Sequence, residues 1–148
     1  MGGHADLRVV ADPDALAEAA ARAIVDTATQ AVAARGRFTI ALAGGATPRA
    51  TYARLAAAPF RDRMPWDRTW VFFGDERAVP PEHPESNFGM AQAALLSRVA
   101  IPPDQVIRLR GEAEDGDSLS GPNRGMSIAV TLRLATAEEV LAEVARRE

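Results

Sequence analysis

The sequence predicts an α/β fold with a mainly parallel sheet. Apolar, strand-like runs alternate with segments whose apolar residues recur at helical spacing, which is typical of such folds. The run at 38–43 is nearly all apolar, as expected for a strand covered on both faces, and the run at 69–73 is rich in aromatic and β-branched residues. A polar loop follows each run directly, and ligands bind at such carboxyl edges of parallel sheets.

The first predicted elements are a short strand at 7–10 and a long helix. The helix begins after Asp12, whose carboxylate can cap it, with Pro13 at the first helical position and Asp14 near the positive end of the helix dipole. Gly36 ends the helix, because glycine readily adopts the left-handed conformation that follows a helix.

The next elements flank the two apolar strands. After the strand at 38–43, the sequence predicts a helix over 48–58, with Tyr52 as one of its larger apolar contacts. Prolines bracket a predicted loop at 59–65. The strand at 69–73 is the strongest strand prediction in the chain.

The second half of the chain continues the alternation of strands and helices. A proline-rich polar loop at 74–86 precedes a predicted helix at about 87–98, and Pro102 and Pro103 separate this helix from the next strand. The remaining predicted elements are a short strand at 106–109, an acidic loop at 111–123, a strand at 128–134 and a helix that begins at Thr136.

The composition limits the classes of function. At 148 residues, 47% of them hydrophobic and 25% charged, the chain fits one globular domain. Its net charge of -3 argues against a general nucleic-acid binder, which needs a basic face. All 17 basic residues are arginine, which excludes Schiff-base chemistry and a P-loop lysine in this chain.

The absence of cysteine excludes a disulfide framework, a thiol nucleophile and a cysteine-based metal site. The first residues show no signal-peptide pattern, and no apolar run approaches membrane-spanning length. From the sequence we therefore expect a soluble, cytoplasmic protein that does not interact with membranes.

The loop after the first apolar strand contains two consecutive glycines. If a helix begins near Thr47, the amides of Gly45, Ala46 and Thr47 lie at its positive end, where they can surround phosphate oxygens, and Gly44 lets the backbone approach a ligand. The alternative is a plain strand-to-helix turn in which Thr47 only caps the helix. The run matches neither a Walker loop nor the full dinucleotide-binding pattern. By itself it therefore does not decide between a phosphate-binding loop and a plain turn.

The loop after the second apolar strand opens with three charged residues. Arg77 can hold a phosphate bidentately, and Asp75 or Glu76 can orient that arginine, bind a substrate hydroxyl or transfer a proton. The alternative is a structural ion-pair cluster. Ser86 and Asn87 further along are typical caps of the next helix, although the Asn87 amide can also reach a ligand.

His83 lies between Glu82 and Pro84 in the same loop, and it is the only histidine besides His4. It can act as a base near neutral pH, but this loop context favours a solvent-exposed side chain. One histidine with scattered carboxylates is poor evidence for zinc. No serine stands in the context of a nucleophile, so we expect neither a metal site nor a Ser-His-Asp triad.

Together these residues resemble the 6-phosphogluconolactonase family. The resemblance covers about 7–114 and rests on Leu-Ala-Gly-Gly-Ala-Thr-Pro at 42–48 and on the block at 66–87, with Phe-Phe-Gly-Asp-Glu-Arg-Ala-Val-Pro and His-Pro-Glu-Ser-Asn. It continues at 101–103 and 111–112. The related glucosamine-6-phosphate deaminases usually carry tyrosine where Arg77 and Asn87 stand, so both positions favour the lactonase.

The resemblance implies a Rossmann-like fold in one domain, 1–148, that hydrolyses 6-phospho-D-glucono-1,5-lactone to 6-phospho-D-gluconate in the pentose phosphate pathway. It implies that the loop from Gly44 to Thr47 and Arg77 hold the phosphate, without a metal or organic cofactor. Water then attacks the lactone carbonyl with the help of a histidine base. Because the ester is intrinsically reactive, positioning and one general base suffice for this step.

The chain departs from the family pattern in one important segment. The catalytic histidine of the family lies in a Gly-His-x-Ala-Ser-Leu-Phe-Pro type segment, which this sequence does not contain. The catalytic residue is therefore unknown, with Asp75 and His83 as the remaining candidates. A catalytically inactive phosphosugar-binding domain and a non-functional fragment are the alternative functions.

The tail at 115–148 diverges from the family and only faintly resembles its late strand and helix. We hypothesise an internal loss that joined an early part to a late part, with a truncated or frame-shifted product as the competing explanation. Reading the gene locus in all three frames distinguishes them. A sheet that lacks central strands exposes apolar edges, so we expect dimerisation, aggregation or marginal stability.

Overall fold

The computed structural model describes residues 7–112. These residues form four helices, two strands and three short 3-10 turns. The helices are α1 (Pro13–Arg35), α2 (Ala46–Leu55), α3 (Phe60–Arg63) and α4 (Asn87–Ala94); the strands are β1 (Phe38–Leu42) and β2 (Thr69–Phe73); the turns are Trp66–Arg68, Leu96–Arg98 and Pro103–Gln105. The predicted strand at 128–134, the helix from Thr136 and most of the loop at 111–123 lie outside the described residues.

The sheet is parallel, as the sequence predicts. β1 and β2 pair in register from Phe38 opposite Thr69 to Leu42 opposite Phe73. The predicted strand at 106–109 is wrong in extent, because it forms a single parallel bridge between Val106 and Val71. Beyond that bridge the chain leaves the sheet and packs against the loop after β2.

The core lies between the sheet and the helices. α1 packs against β1, α2 and α3, and its small side chains allow close approach: Ala21 and Ala28 are completely buried. Leu55 of α2 and Val71 of β2 are each 1% exposed in the same apolar cluster. The opposite face of the sheet is covered only in part by the described residues, since Ala41 is exposed, so coverage of β1 on both faces is not seen within 7–112.

The predicted strand at 7–10 is wrong. These residues form no regular structure, and Leu7 and Val9 are 67% and 74% exposed. Within 7–112 no strand pairs with them, and apolar residues without a neighbouring strand can neither satisfy the backbone hydrogen bonds of a strand nor bury their side chains.

Three helix boundaries also differ from the prediction. α2 begins at Ala46, two residues earlier than expected, and ends at Leu55. The helix predicted at about 87–98 ends at Ala94, and a separate 3-10 turn comes next at Leu96–Arg98. The predicted loop at 59–65 contains the short helix α3, because Phe60 is drawn into the core with only 5% of its surface exposed.

Candidate functional site

The two polar loops leave the sheet side by side. Leu42 ends β1 directly opposite Phe73, which ends β2, and the Gly74 amide donates to the Leu42 carbonyl at 2.9 Å. The sequence prediction that both loops lie at one carboxyl edge is therefore confirmed as a matter of topology.

The β1–α2 loop presents free backbone donors. Gly45 precedes the first residue of α2 with φ +113°, a conformation that L side chains rarely adopt. Within residues 7–112, the amides of Ala46 and Thr47 donate no hydrogen bond. Gly45 is the N-cap residue and no side chain of the described range caps this helix, so the interpretation of Thr47 as merely a capping residue is wrong. The positive end of α2 is open to an anion.

Tyr52 holds the start of this loop. Its hydroxyl accepts a hydrogen bond from the Ala43 amide and donates one to the Ala43 carbonyl, both at 2.9 Å. The sequence predicts only an apolar contact for Tyr52, because nothing local indicates that its hydroxyl reaches back nine residues to the strand end. Burial raises the pKa of Tyr52 to about 12, against a smaller lowering effect of the hydrogen bond with Ala43.

The raised pKa of Tyr52 predicts an alkaline loss of stability. The unfolded phenol ionises near pH 10 and the folded one only near 12, so stability is complete below pH 10 and falls as the pH rises between these values. Two pKa units correspond to a loss of about 2–3 kcal/mol in the free energy of unfolding.

The sequence makes this measurement unusually clean, because it has one tyrosine and neither lysine nor cysteine. Urea denaturation at pH 9 to 12 should show the decline, and ultraviolet absorbance should report ionisation of the single phenol. The Tyr52→Phe variant should lack the decline; an equal decline in that variant would assign it to another cause.

Glu76 organises the β2–α4 loop. Its carboxylate accepts hydrogen bonds from four donors: the amides of Arg77 (2.8 Å), Asn87 (2.7 Å) and Phe88 (2.9 Å) and the hydroxyl of Ser86 (3.1 Å). Burial on its own would raise the pKa of Glu76, but the four hydrogen bonds outweigh it and hold that pKa below its usual value. The carboxylate thus closes the positive end of α4.

Asn87 connects the two loops. Its Nδ2 donates to the backbone oxygen of Asp75 at 3.2 Å and to the Asp75 carboxylate at 3.3 Å. The other side of its carboxamide packs on Gly44, where a Cβ atom would lie 2.7 Å from the Asn87 Cγ. The structure therefore brings Gly44, Asp75 and Asn87 together, and it shows why residue 44 has no side chain.

Ser86 acts as the predicted cap. Its hydroxyl accepts a hydrogen bond from the Gly89 amide at 3.0 Å. Phe88 then anchors the same helix through an edge-on contact with Phe73 of β2, with ring centroids 5.7 Å apart. The start of α4 is consequently fixed by polar contacts on one side and by aromatic packing on the other.

Arg77 is exposed at the site. Among residues 7–112, its guanidinium forms no ion pair or hydrogen bond with Asp75, Glu76 or any other side chain. The alternative of a structural ion-pair cluster does not describe these three residues. Arg77 is instead fixed through its backbone: its amide donates to Glu76, and its carbonyl lies against Gly111.

His83 is exposed, and its Nδ1 accepts a hydrogen bond from the Glu85 amide at 3.1 Å. Because Nδ1 is the acceptor in this contact, the neutral ring carries its proton on Nε2. No group of three or more histidine, cysteine or acidic residues in the described range has the arrangement of a metal site.

A third segment at this edge was not singled out from the sequence. Arg108, two residues after the bridge at Val106, forms a bidentate ion pair with Glu112 at 3.0 and 2.5 Å and lies 5.6 Å from the Phe88 ring centroid. The hydrogen bond from Arg108 lowers the pKa of Glu112 to about 2. The available signal was the run of charged residues at the end of the predicted strand at 106–109, comparable to the charged residues that identified the second loop.

The fold and the edge define an α/β protein whose polar loops meet where its parallel strands end. The chain belongs to the family described as glucosamine-6-phosphate isomerases/6-phosphogluconolactonase, whose model matches residues 11–146. The matched range extends beyond the 7–114 on which the sequence resemblance rests.

Proteins with sequences or structures similar to this chain carry names from the same family. The 6-phosphogluconolactonase of Nostoc is 43% identical over 100 residues, which are 68% of this chain and 40% of that protein. The 6-phosphogluconolactonase of Streptomyces coelicolor is 38% identical over 116 residues, 78% of this chain and 44% of that protein. The crystal structure of the Thermotoga maritima 6-phosphogluconolactonase superposes with a TM-score of 0.67 at 26% identity, over 76% of this chain and 49% of that one.

The chain thus spans less than half the length of these relatives. None of the helices between residues 7 and 112 combines the length and the hydrophobicity that a membrane-spanning segment needs.

Proposed function

We propose that this chain binds a phosphosugar and carries the phosphate-binding part of a 6-phosphogluconolactonase, which hydrolyses 6-phospho-D-glucono-1,5-lactone to 6-phospho-D-gluconate. The observation that carries the proposal is the set of three unsatisfied donor groups at one sheet edge within residues 7–112. The amides of Ala46 and Thr47 after Gly45 are free within 7–112, and so is the Arg77 guanidinium. Backbone amides at a helix start and an arginine are the donors that phosphate oxygens prefer. The names of the relatives support the substrate.

The proposed reaction requires mainly that the protein position the lactone and the attacking water. Water attacks the lactone carbonyl, the ring C–O bond breaks, and the ring oxygen becomes a hydroxyl of the acid. A base that takes the proton of the attacking water raises the rate. Asp75 and His83 are the candidate bases of this chain. The Asp75 carboxylate is exposed beside Asn87, whereas the free lone pair of the neutral His83 ring is on Nδ1, which accepts from the Glu85 amide, so His83 takes up a proton only after that contact opens. We propose no metal or organic cofactor.

A catalytically inactive phosphosugar-binding domain is the second candidate. It is favoured by a specific observation: the sequence lacks the Gly-His-x-Ala-Ser segment, while the phosphate donors are retained. A cytoplasmic location and self-association through uncovered sheet or helix surface also remain proposals. The net charge of -3 supports a partner other than nucleic acid.

Two measurements on the purified chain separate these candidates. Freshly prepared lactone reports hydrolysis above the spontaneous rate, and calorimetric titration with 6-phosphogluconate reports binding. Hydrolysis above background supports the lactonase; binding without hydrolysis supports the inactive domain. The absence of both would contradict the proposal and leave a non-functional fragment.

The Arg77→Ala variant should weaken binding of 6-phosphogluconate by about 1.5–3 kcal/mol, because a charged hydrogen bond to the phosphate is lost. Arg37→Ala is the matched control, since Arg37 is also exposed but precedes β1 at the opposite edge of the sheet. Calorimetric titration of both variants with 6-phosphogluconate measures the difference in affinity. Equal affinities in Arg77→Ala and the parent chain would remove Arg77 from the site.

A further inference from the structure

The carboxamide of Asn87 donates hydrogen bonds through its nitrogen, whereas its oxygen accepts none within residues 7–112. Its Nδ2 faces the backbone oxygen and the carboxylate of Asp75. Both of these partners are acceptors, so only the NH2 group can face them, and this fixes the orientation of the amide. Oδ1 therefore points the other way, onto Gly44 of the β1–α2 loop.

Oδ1 has no partner among the described residues, although its side chain is almost entirely buried. Asn87 is 5% exposed, and Oδ1 accepts no hydrogen bond from any residue in 7–112. Within the same residues, no side-chain nitrogen or oxygen is both sealed from solvent and unpartnered. Oδ1 must consequently reach solvent, and it lies against Gly44, two residues before the first free amide of the loop.

We infer that Oδ1 of Asn87 accepts a hydrogen bond from a hydroxyl of the carbon chain that carries the phosphate. The inference rests on the proposed function, because it needs the phosphate to bind at the amides of Ala46 and Thr47. A ligand hydroxyl satisfies the acceptor, whereas an alkyl group in the same place leaves it without a partner. Asn87 is thus a specificity residue that distinguishes polyhydroxylated phosphates from plain alkyl phosphates.

The packing of the site suits this role. The Asp75 contacts hold the amide from one side, and the Asn87 backbone amide is held by Glu76 at 2.7 Å. Gly44 admits the oxygen without a clash. An acceptor that is already oriented loses little freedom when the ligand binds.

The test compares two ligands against two variants. 6-Phosphogluconate carries hydroxyls and phosphate, whereas propyl phosphate carries the phosphate alone. Asn87→Ala should weaken 6-phosphogluconate about three- to tenfold and leave propyl phosphate unchanged. Gln92→Ala removes an exposed amide from the same helix and should change neither affinity. NMR titration measures the affinities for both ligands, because it detects weak binding.

Each remaining outcome is informative. Equal weakening of both ligands by Asn87→Ala would mean that Asn87 only shapes the loop, and no change would remove it from the site; either result overturns the inference. If the parent chain binds neither ligand, the proposed function itself fails. Should Asn87→Ala not fold, the side-chain amide resonance of Asn87 in the parent chain decides: it must shift with 6-phosphogluconate and not with propyl phosphate.

Discussion

Replacing Glu76 with glutamine is expected to lower the free energy of unfolding by about 2–4 kcal/mol, the largest loss expected from any isosteric change at this site. Each oxygen of the Glu76 carboxylate accepts two hydrogen bonds, one pair from Arg77 and Asn87 and the other from Ser86 and Phe88. Glutamine must turn an NH2 group toward one of these pairs. At least one backbone amide then faces another donor, and the negative charge at the start of α4 is lost.

Glu85→Gln is the matched control. Glu85 is an exposed residue of the same loop, and its carboxylate accepts no hydrogen bond within residues 7–112, so this variant should retain the parent stability. Urea denaturation at pH 7 compares the two variants. A loss in Glu76→Gln that is no larger than that in Glu85→Gln would show that the carboxylate does not hold the helix.

The acid dependence provides a second measurement of the same contact. The pKa of Glu76 lies below its usual value of 4.5, so its contribution is complete above that value and is lost as the pH falls through the lowered pKa. The parent chain should therefore lose more stability on acidification than Glu76→Gln does. Parallel denaturation series from pH 7 to pH 3 measure the difference.

Elements with local signals could be predicted closely from the sequence. α1 begins at Pro13 and ends before Gly36, as expected, because the Asp12 carboxylate accepts from the Ala15 amide at 2.8 Å and Gly36 adopts φ 76°. β2 has the predicted bounds, since its residues favour a strand wherever they are placed. Helix α3 escaped prediction because its stability depends on burial of Phe60 in the core, a contact that no local pattern records.

The candidate site was predictable in position but not in detail. Parallel strands bring their carboxyl ends together, so the nearness of the Gly44 and Asp75 loops followed from the fold class alone. The roles of Tyr52, Glu76 and Asn87 did not, because each depends on a partner nine to twelve residues away whose direction only the folded chain sets. Glu76 in particular was a candidate for proton transfer, whereas its four hydrogen bonds indicate a structural anchor.

The contacts of Gly111 lead to the second large effect. A Cβ at this position would overlap the carbonyl oxygen of Arg77 and lie 2.8 Å from that of Val79. Both obstacles are backbone atoms, so neither can move aside as a flexible side chain does. The Arg77 carbonyl also accepts from the Val79 amide at 2.8 Å, and any shift of it disturbs this turn.

The Gly111→Ala variant is therefore expected to lose about 1–3 kcal/mol in the free energy of unfolding, because an added methyl group forces the backbone of the β2–α4 loop to move. It should also weaken binding of 6-phosphogluconate, since the displaced segment carries the Arg77 guanidinium. Urea denaturation and calorimetric titration measure the two effects on the same sample.

Gly74→Ala serves as the control at the same sheet edge. The nearest atom to a Cβ there is the Leu42 carbonyl oxygen at 3.7 Å, an ordinary contact distance, so stability and affinity should stay close to those of the parent chain. If Gly111→Ala matched Gly74→Ala in both stability and affinity, the segment after Val106 would not support the β2–α4 loop. Loss of stability with unchanged affinity would instead place the phosphate away from Arg77, and the ligand titration of Arg77→Ala should then agree.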